Sequence, residues 1–169
     1  MKYLVIGLGS MGKRRVRNLI ALGHKNQVAG YDPRDDRRSE AKKYGIDIYD
    51  DFHKAMHIHE PNIFIISTPP HLHMEYAYVA ADNNISCFIE ASVVDADKIL
   101  QLSKIVQGKN ILMAPSCTMQ YYPGPVKVKE LISEGVIGQV LNYNYHTGQY
   151  LEDWHPWEDI KDFYVSNPD

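Results

Sequence analysis

Three glycines near the N-terminus carry the clearest chemical signal in this sequence. Gly7, Gly9 and Gly12 form a Gly-x-Gly-x-x-Gly loop between an apolar run and a stretch with helical spacing. In such a loop the first glycine permits a tight turn, the second lets a pyrophosphate approach the backbone, and the third lets the helix pack closely. The unpaired N–H groups of the first helical turn favour an anion. The loop therefore predicts dinucleotide binding, and a glycine-rich turn without a ligand is the alternative. The candidate contacts are Gly7, Leu8, Gly9, Ser10, Met11 and Gly12.

An acidic residue stands where the ribose of such a cofactor would lie. Asp32 ends a second apolar run and follows Gly12 by about twenty residues, the spacing of a ribose-binding carboxylate. A carboxylate there accepts ribose hydroxyls and repels a 2′-phosphate, which favours NAD over NADP. Arg34 keeps NADP open, because its guanidinium could pair with a 2′-phosphate or stack on adenine. The sequence predicts NAD, with NADP as the second choice.

Strands and helices that would position these residues alternate from the N-terminus to about residue 117. Strands are predicted at residues 2–6, 27–32, 46–50, 62–67, 86–89 and 110–116. Helices are predicted at residues 13–22, 37–44, 52–59, 72–82, 95–106 and 126–133. This alternation is typical of an α/β fold with a doubly wound parallel sheet, the Rossmann type. Ligands bind such sheets at the carboxyl ends of the strands, so the turn with Thr68, Pro69 and Pro70 is a candidate wall of the site.

The pattern changes after residue 118. A break at residues 121–125 precedes a short helix, and residues 139–147 alternate apolar and polar side chains as an antiparallel strand with one covered face would. We therefore predict two domains, residues 1–118 and residues 119–169, the second being the beginning of an α/β domain with an antiparallel sheet. A single strand cannot satisfy its own backbone groups. Either another chain supplies its partners or the sequence is the N-terminal part of a longer protein, which is the hypothesis we favour.

Composition argues against several classes of protein. The 169 residues carry a net charge of −3, so the sequence has no excess of positive charge that would attract nucleic acid. No apolar run approaches the roughly 18 residues of a membrane span, and the N-terminus enters a core strand without a signal peptide. Cys87 and Cys117 fall in apolar runs and are predicted to be buried thiols in a reducing compartment. We expect a cytoplasmic protein without a membrane or nucleic-acid partner.

Three histidines lie close together in the sequence without indicating a metal. His53, His57 and His59 fall on one predicted helix, and the glutamate or cysteine partners of a recognisable zinc site are missing. A solvated helix is the interpretation we favour, and no metal is predicted.

Three motifs in order resemble the Gfo/Idh/MocA family of oxidoreductases. They are the glycine loop at residues 7–12, the segment at residues 67–73 and the run Phe88-Ile89-Glu90, and residues 126–140 resemble the family's entry into its second domain. The resemblance covers essentially the whole chain. It implies an N-terminal Rossmann domain, a C-terminal domain with an open, mostly antiparallel sheet, and hydride transfer between NAD(P) and a sugar or similar polyol. We expect a sugar as the small-molecule substrate and a homo-oligomer formed through the second-domain sheet.

The same resemblance implies roles for five residues. Thr68 and Pro69 would border the nicotinamide together with Pro70, and His73 would lie on the same side. His73 is the candidate catalytic residue as a general acid, but a histidine there could equally cover a helix start. Glu90 would contact the nicotinamide ribose.

The sequence also departs from the family pattern. Ala91 stands where the family usually has a lysine that polarises a carbonyl or relays a proton, and Gln120 stands where arginine is common. The family's later Asp and His pair does not occur in these 169 residues. A dinucleotide-binding sensor or scaffold without turnover, or an inactive N-terminal fragment, is therefore the alternative to an active oxidoreductase. Gln120 is a substrate candidate, and so are His146, Trp154 and His155, for which an interface or covered surface is the alternative that we favour slightly.

Overall fold

Six parallel strands form one sheet in the N-terminal part of the chain. The structure is a computed structural model that describes residues 1–91, 94–148, 150–154, 156 and 159–161. The strands are β1 (Tyr3–Ile6), β2 (Val28–Tyr31), β3 (Asp47–Tyr49), β4 (Ile63–Ile66), β5 (Ser86–Ile89) and β6 (Met113–Pro115). Their order across the sheet is β3-β2-β1-β4-β5-β6. Strand order reverses at β1, which lies between β2 and β4. The predicted doubly wound parallel sheet is therefore confirmed.

Helices connect successive strands of this sheet. They are α1 (Ser10–Ala21), α2 (Asp35–Ala41), α3 (Phe52–His59), α4 (His73–Asp82) and α5 (Ala96–Ile105). The carboxylate of Asp51 caps α3 by accepting the Lys54 backbone N–H at 2.7 Å. Helix α2 begins two residues before the predicted start, because Asp35 and Asp36 place negative charge in its first turn, where the helix dipole favours it.

Apolar side chains pack on both faces of the sheet. Along β1, Leu4 and Ile6 join one core cluster while Val5 joins the other, as the period of two in a strand requires. All three side chains are fully buried. Complete burial of such a side chain contributes about 1.5–3 kcal/mol relative to leaving it in water. This two-sided core holds the carboxyl edge of β1 and β4 in a fixed position.

Contacts within the chain divide it into two compact units, Met1–Ser116 and Cys117–Asp169. The second unit contains α6 (Pro123–Ser133), which has proline in its first turn, and the single turn α7 (Leu151–Trp154). Helix α6 begins three residues before the predicted start. Residues 140–148, all within the described part of the chain, form no strand, so the predicted antiparallel strand over residues 139–147 is not observed. A strand needs hydrogen-bonding neighbours, and an alternating pattern cannot supply them by itself.

The two cysteines differ in environment. Cys87 is buried on β5, as predicted, and burial raises the pKa of its thiol to about 12. Cys117 is exposed and lies outside the strands, so the prediction of a second buried thiol was wrong. The run around Cys117 is apolar, but β6 already ends at Pro115.

Two further predictions concern helices of the N-terminal unit. His53 and His57 are exposed, as expected of a solvated helix, whereas His59 is buried, with its Nε2 atom 3.1 Å from the Tyr3 carbonyl oxygen. No three histidine, cysteine or carboxylate side chains meet as a metal site in the described part of the chain. No helix there has the length and apolar character needed to cross a bilayer.

Candidate dinucleotide-binding site

Two of the three loop glycines are required by the fold itself. Gly7 adopts a φ of +88°, and a Cβ built there would lie 2.7 Å from the carbonyl oxygen of Ser67. A Cβ on Gly12 would lie only 1.8 Å from the carbonyl oxygen of Gly7. Both distances are far below a van der Waals contact. The structure therefore confirms the tight turn at Gly7 and the close helix packing at Gly12.

Gly9 has a different environment. Its φ of −66° and ψ of −163° are open to any residue, and it is half-buried. Among the described residues, only the guanidinium of Arg37 lies within 4 Å of a Cβ built on Gly9, and its nearest atom is at 3.6 Å. That separation is an ordinary contact. The described chain thus contains nothing that requires glycine here, whereas close approach of an outside group would require it.

The N-terminus of α1 faces this open position. Gly9 is its N-cap, and within the described residues no side chain caps the helix and no acidic residue occupies its first turn. Ser10 and Met11 are exposed at this end. Lys13 forms an ion pair with Glu40. The backbone N–H groups at the start of this twelve-residue helix, together with its dipole, favour an anion.

Asp32 lies just beyond β2 and is bonded to the loop. It is 1 % exposed, and its Oδ2 atom accepts the backbone N–H of Leu8 at 2.7 Å. Its Oδ1 atom accepts the backbone N–H of Arg34 at 2.9 Å. Asp32 thus lies beside the glycine loop as the sequence predicted, but both oxygens of its carboxylate already accept hydrogen bonds from backbone N–H groups of the chain. The side chain of Leu8 is buried against Gly30 in the core, so only the backbone of Leu8 belongs to the loop surface.

Three arginines follow Asp32, and their contacts differ. Arg34, the predicted alternative for a 2′-phosphate, is exposed and pairs with Asp36 at 2.6 Å. Arg38 donates to the carbonyl oxygens of Asp32 at 2.9 Å and Pro33 at 2.6 Å. Arg37 has Nη1 3.7 Å from the Oδ2 atom of Asp32. A mixed charge run in the sequence does not identify which of these arginines faces the loop.

The turn after β4 brings unpaired polar atoms to the same edge of the sheet. The hydroxyl oxygens of Ser67 and Thr68 and the Nδ1 atom of His73 are buried without a hydrogen-bond partner among the described residues. Pro69 and Pro70 lead into a short 3-10 turn and are half-buried. Buried polar groups normally form hydrogen bonds, so three unpaired polar atoms at this edge fit a site in which a bound polar molecule supplies their partners.

His73 begins α4 and is 1 % exposed. Its Nε2 atom lies 2.8 Å from the carbonyl oxygen of Thr68, a contact that places the ring proton on Nε2. Burial lowers the pKa of His73, and the Thr68 carbonyl and the charge of Glu90 oppose this only in part. His73 is therefore neutral at pH 7, with an unprotonated Nδ1 that can accept a hydrogen bond.

Glu90 follows β5, and an ion pair that the sequence did not reveal holds it. Arg15 of α1 donates from Nε to its Oε1 atom at 2.5 Å and from an Nη atom to its Oε2 atom at 3.1 Å. The same guanidinium lies 4.9 Å from the centre of the Phe88 ring. Arg15 is one turn beyond Gly12 and so lies on the face of α1 that packs on the sheet. That spacing was the available signal for its role.

The substrate candidates all belong to the second unit. Gln120 is exposed in the 3-10 turn Thr118–Tyr121, and His146 is exposed in a stretch without regular structure. Trp154 ends α7, and His155 lies outside the described residues. Their assignment to a substrate site stays a prediction.

Comparisons with known proteins agree with this geometry. The family model described as an oxidoreductase family with an NAD-binding Rossmann fold, Gfo/Idh/MocA, matches residues 1–112, which contain all three predicted motifs. A levoglucosan dehydrogenase of Pseudarthrobacter phenanthrenivorans is 31% identical over 100 residues, 57% of this chain and 25% of that protein. A 2,7-anhydro-N-acetylneuraminate hydratase of Mediterraneibacter gnavus is 25% identical over 143 residues, 82% of this chain and 37% of that protein.

A solved structure shares the fold. The scyllo-inositol dehydrogenase of Lactobacillus casei with bound NAD(H) and scyllo-inositol superimposes with a TM-score of 0.71 at 21% identity, over 82% of this chain and 42% of that one. The chain spans less than half the length of each of these proteins.

Proposed function

Because this chain belongs to the Gfo/Idh/MocA family of oxidoreductases, with its NAD-binding Rossmann fold, we propose that it binds NAD(H) for hydride transfer to or from a sugar or sugar derivative. The family match confirms the resemblance predicted from the three motifs. The open Gly9 at the uncapped N-terminus of α1 is the observation that carries the proposal. No contact within the described chain requires glycine at this position, and the position adjoins the positive end of the α1 dipole. Both features fit a bound pyrophosphate.

In this proposal, different residues at the carboxyl edge of the sheet contact different parts of the cofactor. The N-terminus of α1 would hold the pyrophosphate, Asp32 would face the adenosine ribose, and Glu90 would face the nicotinamide ribose. The turn from Thr68 to Pro70 would border the nicotinamide, whose ring carries the hydride when bound. Arg15 keeps the Glu90 carboxylate oriented through two hydrogen bonds. His73 offers its unprotonated Nδ1 as an acceptor.

Relatives support a carbohydrate substrate. One is named for levoglucosan and another was crystallised with scyllo-inositol, both rich in hydroxyl groups. We extend that class to this chain, with Gln120, His146, Trp154 and His155 as the proposed contacts. Because a third relative is named as a hydratase, product analysis must accompany any assay of cofactor reduction.

Assembly and location complete the proposal. Large apolar side chains are exposed along the second unit, among them Val128, Ile132, Leu141 and Tyr143. Such exposure supports a homo-oligomer formed through a second-domain sheet. Cys87 and Cys117 are free thiols, which suits a reducing compartment such as the cytoplasm.

The experiment is a calorimetric titration of the protein with NADH, followed by NAD⁺ reduction assays with anhydrosugars, inositols and nucleotide sugars. Binding of NADH at micromolar dissociation constant and reduction with one substrate class are expected. The absence of a binding isotherm would refute the proposed cofactor site.

A dinucleotide-binding protein without turnover is the second candidate. Ala91 favours it, because a methyl group can neither polarise a carbonyl nor relay a proton. Tight NADH binding with no NADH formation from any polyol by the full-length protein would support this candidate. Substrate-dependent NADH formation would exclude it.

A further inference from the structure

We propose that Arg15 is a positioning residue for the nicotinamide half of this site and acts only through its ion pair with Glu90. Without the guanidinium of Arg15, the protein would keep its contacts to the adenosine and the pyrophosphate and would lose affinity for the part of the cofactor beyond them. The inference rests on the proposed dinucleotide site. It adds to that site a side chain that controls binding by orienting another side chain.

The Glu90 carboxylate is held on both of its oxygens by one side chain. Oε1 accepts the Nε–H of Arg15 at 2.5 Å, and Oε2 accepts an Nη2–H at 3.1 Å. Among the described residues no other donor reaches this carboxylate, and the side chain of Glu90 is 9% exposed. Two such bonds fix the plane of the carboxylate as well as its position. Each oxygen retains a lone pair that can accept a hydrogen bond from a ribose hydroxyl.

A third contact fixes Arg15 itself. Its guanidinium lies 4.9 Å from the centre of the Phe88 ring, which is within the range of a cation–π contact. Phe88 lies on β5 and Glu90 follows two residues later, so both side chains project to the same side of the strand direction. The carboxylate therefore holds the edge of the guanidinium while the ring covers its face. A lysine ammonium has neither the fork nor the planar face that these contacts use.

The ion pair also joins two parts of the proposed site. Arg15 lies in the second turn of α1, the helix whose N-terminus would hold the pyrophosphate. Glu90 follows β5, which pairs with β4 in the sheet. The pair therefore fixes the Glu90 carboxylate relative to the N–H groups of α1. A dinucleotide can bind to both at once only if their separation suits it, and locked side chains keep such a separation constant.

A purely structural role for the ion pair predicts a different result. Breaking a buried pair destabilises the whole fold, and a less stable fold would lower the apparent affinity for every part of the cofactor. A positioning role affects only those ligands that reach Glu90. Three ligands distinguish the two roles, because ADP ends at the pyrophosphate, ADP-ribose adds the second ribose, and NADH adds the nicotinamide ring.

The test is a calorimetric titration of the wild type, Arg15→Lys, Glu90→Gln and the double variant with each of these three ligands. Arg15→Lys keeps the positive charge, whereas removal of the whole side chain would leave a buried carboxylate without a cation. Arg17→Ala is the matched control, because Arg17 is an exposed arginine of the same helix that donates to the Tyr44 hydroxyl at 3.1 Å. Thermal unfolding verifies that each variant is folded at the temperature of the titration.

We expect Arg15→Lys to weaken ADP-ribose and NADH about tenfold, as loss of a hydrogen bond to a charged group does, and to change ADP less than about twofold. Glu90→Gln should weaken the same two ligands. In the Glu90→Gln protein, Arg15→Lys should add little further loss, because a residue that acts through Glu90 then has no carboxylate to orient. Arg17→Ala should leave all three affinities unchanged.

Three outcomes with a wild type that binds NADH would refute the role of Arg15 and leave the cofactor site standing. The first is equal weakening of ADP, ADP-ribose and NADH by Arg15→Lys. The second is an unchanged affinity of a folded Arg15→Lys protein for all three ligands. The third is an effect of Arg15→Lys that is as large in the Glu90→Gln protein as in the wild type. If the wild type binds neither ADP nor NADH, the cofactor site itself is refuted and this inference falls with it.

Discussion

Replacing Gly9 by alanine should abolish cofactor binding while leaving the fold intact. The backbone at Gly9 already has dihedral angles that alanine adopts, and among the residues that the structure describes the added methyl group would meet only Arg37, at 3.6 Å. Reduced freedom of the unfolded chain then stabilises the variant by about 0.4–1 kcal/mol. Loss of glycine at the N-cap costs a similar few tenths up to about 1 kcal/mol. The two effects offset each other, so the free energy of unfolding should stay within about 1 kcal/mol of the wild type.

In the proposed site, the same methyl group would occupy the space through which a pyrophosphate would reach the N–H groups of α1. Each hydrogen bond to a charged group is worth about 1.5–3 kcal/mol, and loss of two amounts to about 3 kcal/mol or more. That loss corresponds to a dissociation constant for NADH at least about a hundredfold higher.

Gly12→Ala is the matched control within the same loop. Its methyl group would lie 1.8 Å from the Gly7 carbonyl oxygen, so the backbone must shift. Overpacking of this kind costs about 1–3 kcal/mol or more. Urea unfolding and NADH fluorescence should therefore separate the two variants, because one loses affinity and the other loses stability. A folded Gly9→Ala protein with wild-type NADH affinity would refute a pyrophosphate at this position.

Other substitutions test the remaining contacts. Asp32→Ala leaves the Leu8 N–H without its buried acceptor and should lower the free energy of unfolding by about 1–3 kcal/mol in denaturant titrations; an unchanged midpoint would contradict this. Arg15→Ala leaves Glu90 buried without its cation and should cost about 3–5 kcal/mol, part of which Glu90→Gln in the same chain should restore; equal stability of the single and double variants would argue against the ion pair. Burial lowers the pKa of His73 in the folded chain below its unfolded value of 6.5, so the unfolded state binds more protons. The contribution of neutral His73 to the free energy of unfolding is present above pH 6.5 and is lost as the pH falls through the pKa of the folded state. The free energy of unfolding, measured at pH 5.5 and 7.5, should therefore change less for His73→Gln than for the wild type. The same pH dependence in both proteins would exclude His73 as its source.

Strand and helix order was readable from the sequence because each element has its own period and boundary signals. A short strand was predicted at residues 46–50, and β3 is found there, as the outermost strand beside β2. The predicted helix at residues 37–44 ends where Gly45, with φ of +63°, follows it. The pattern failed where pairing decides the outcome, at residues 139–147, because a strand depends on partners that its own residues do not specify.

The sequence by itself determined the glycine loop, the parallel sheet and the position of Asp32 at the sheet edge. These depend on glycine stereochemistry and on local hydrophobic periods, which short segments encode. The tertiary structure alone decided which residues meet at that edge. The pairing of Arg15 with Glu90, the placement of Arg37 over Gly9 and the bond from Leu8 to Asp32 join segments distant in sequence. Such contacts arise only when the sheet brings separate strand ends together, so a local pattern can indicate which face of a helix meets the sheet but not which residue it pairs with.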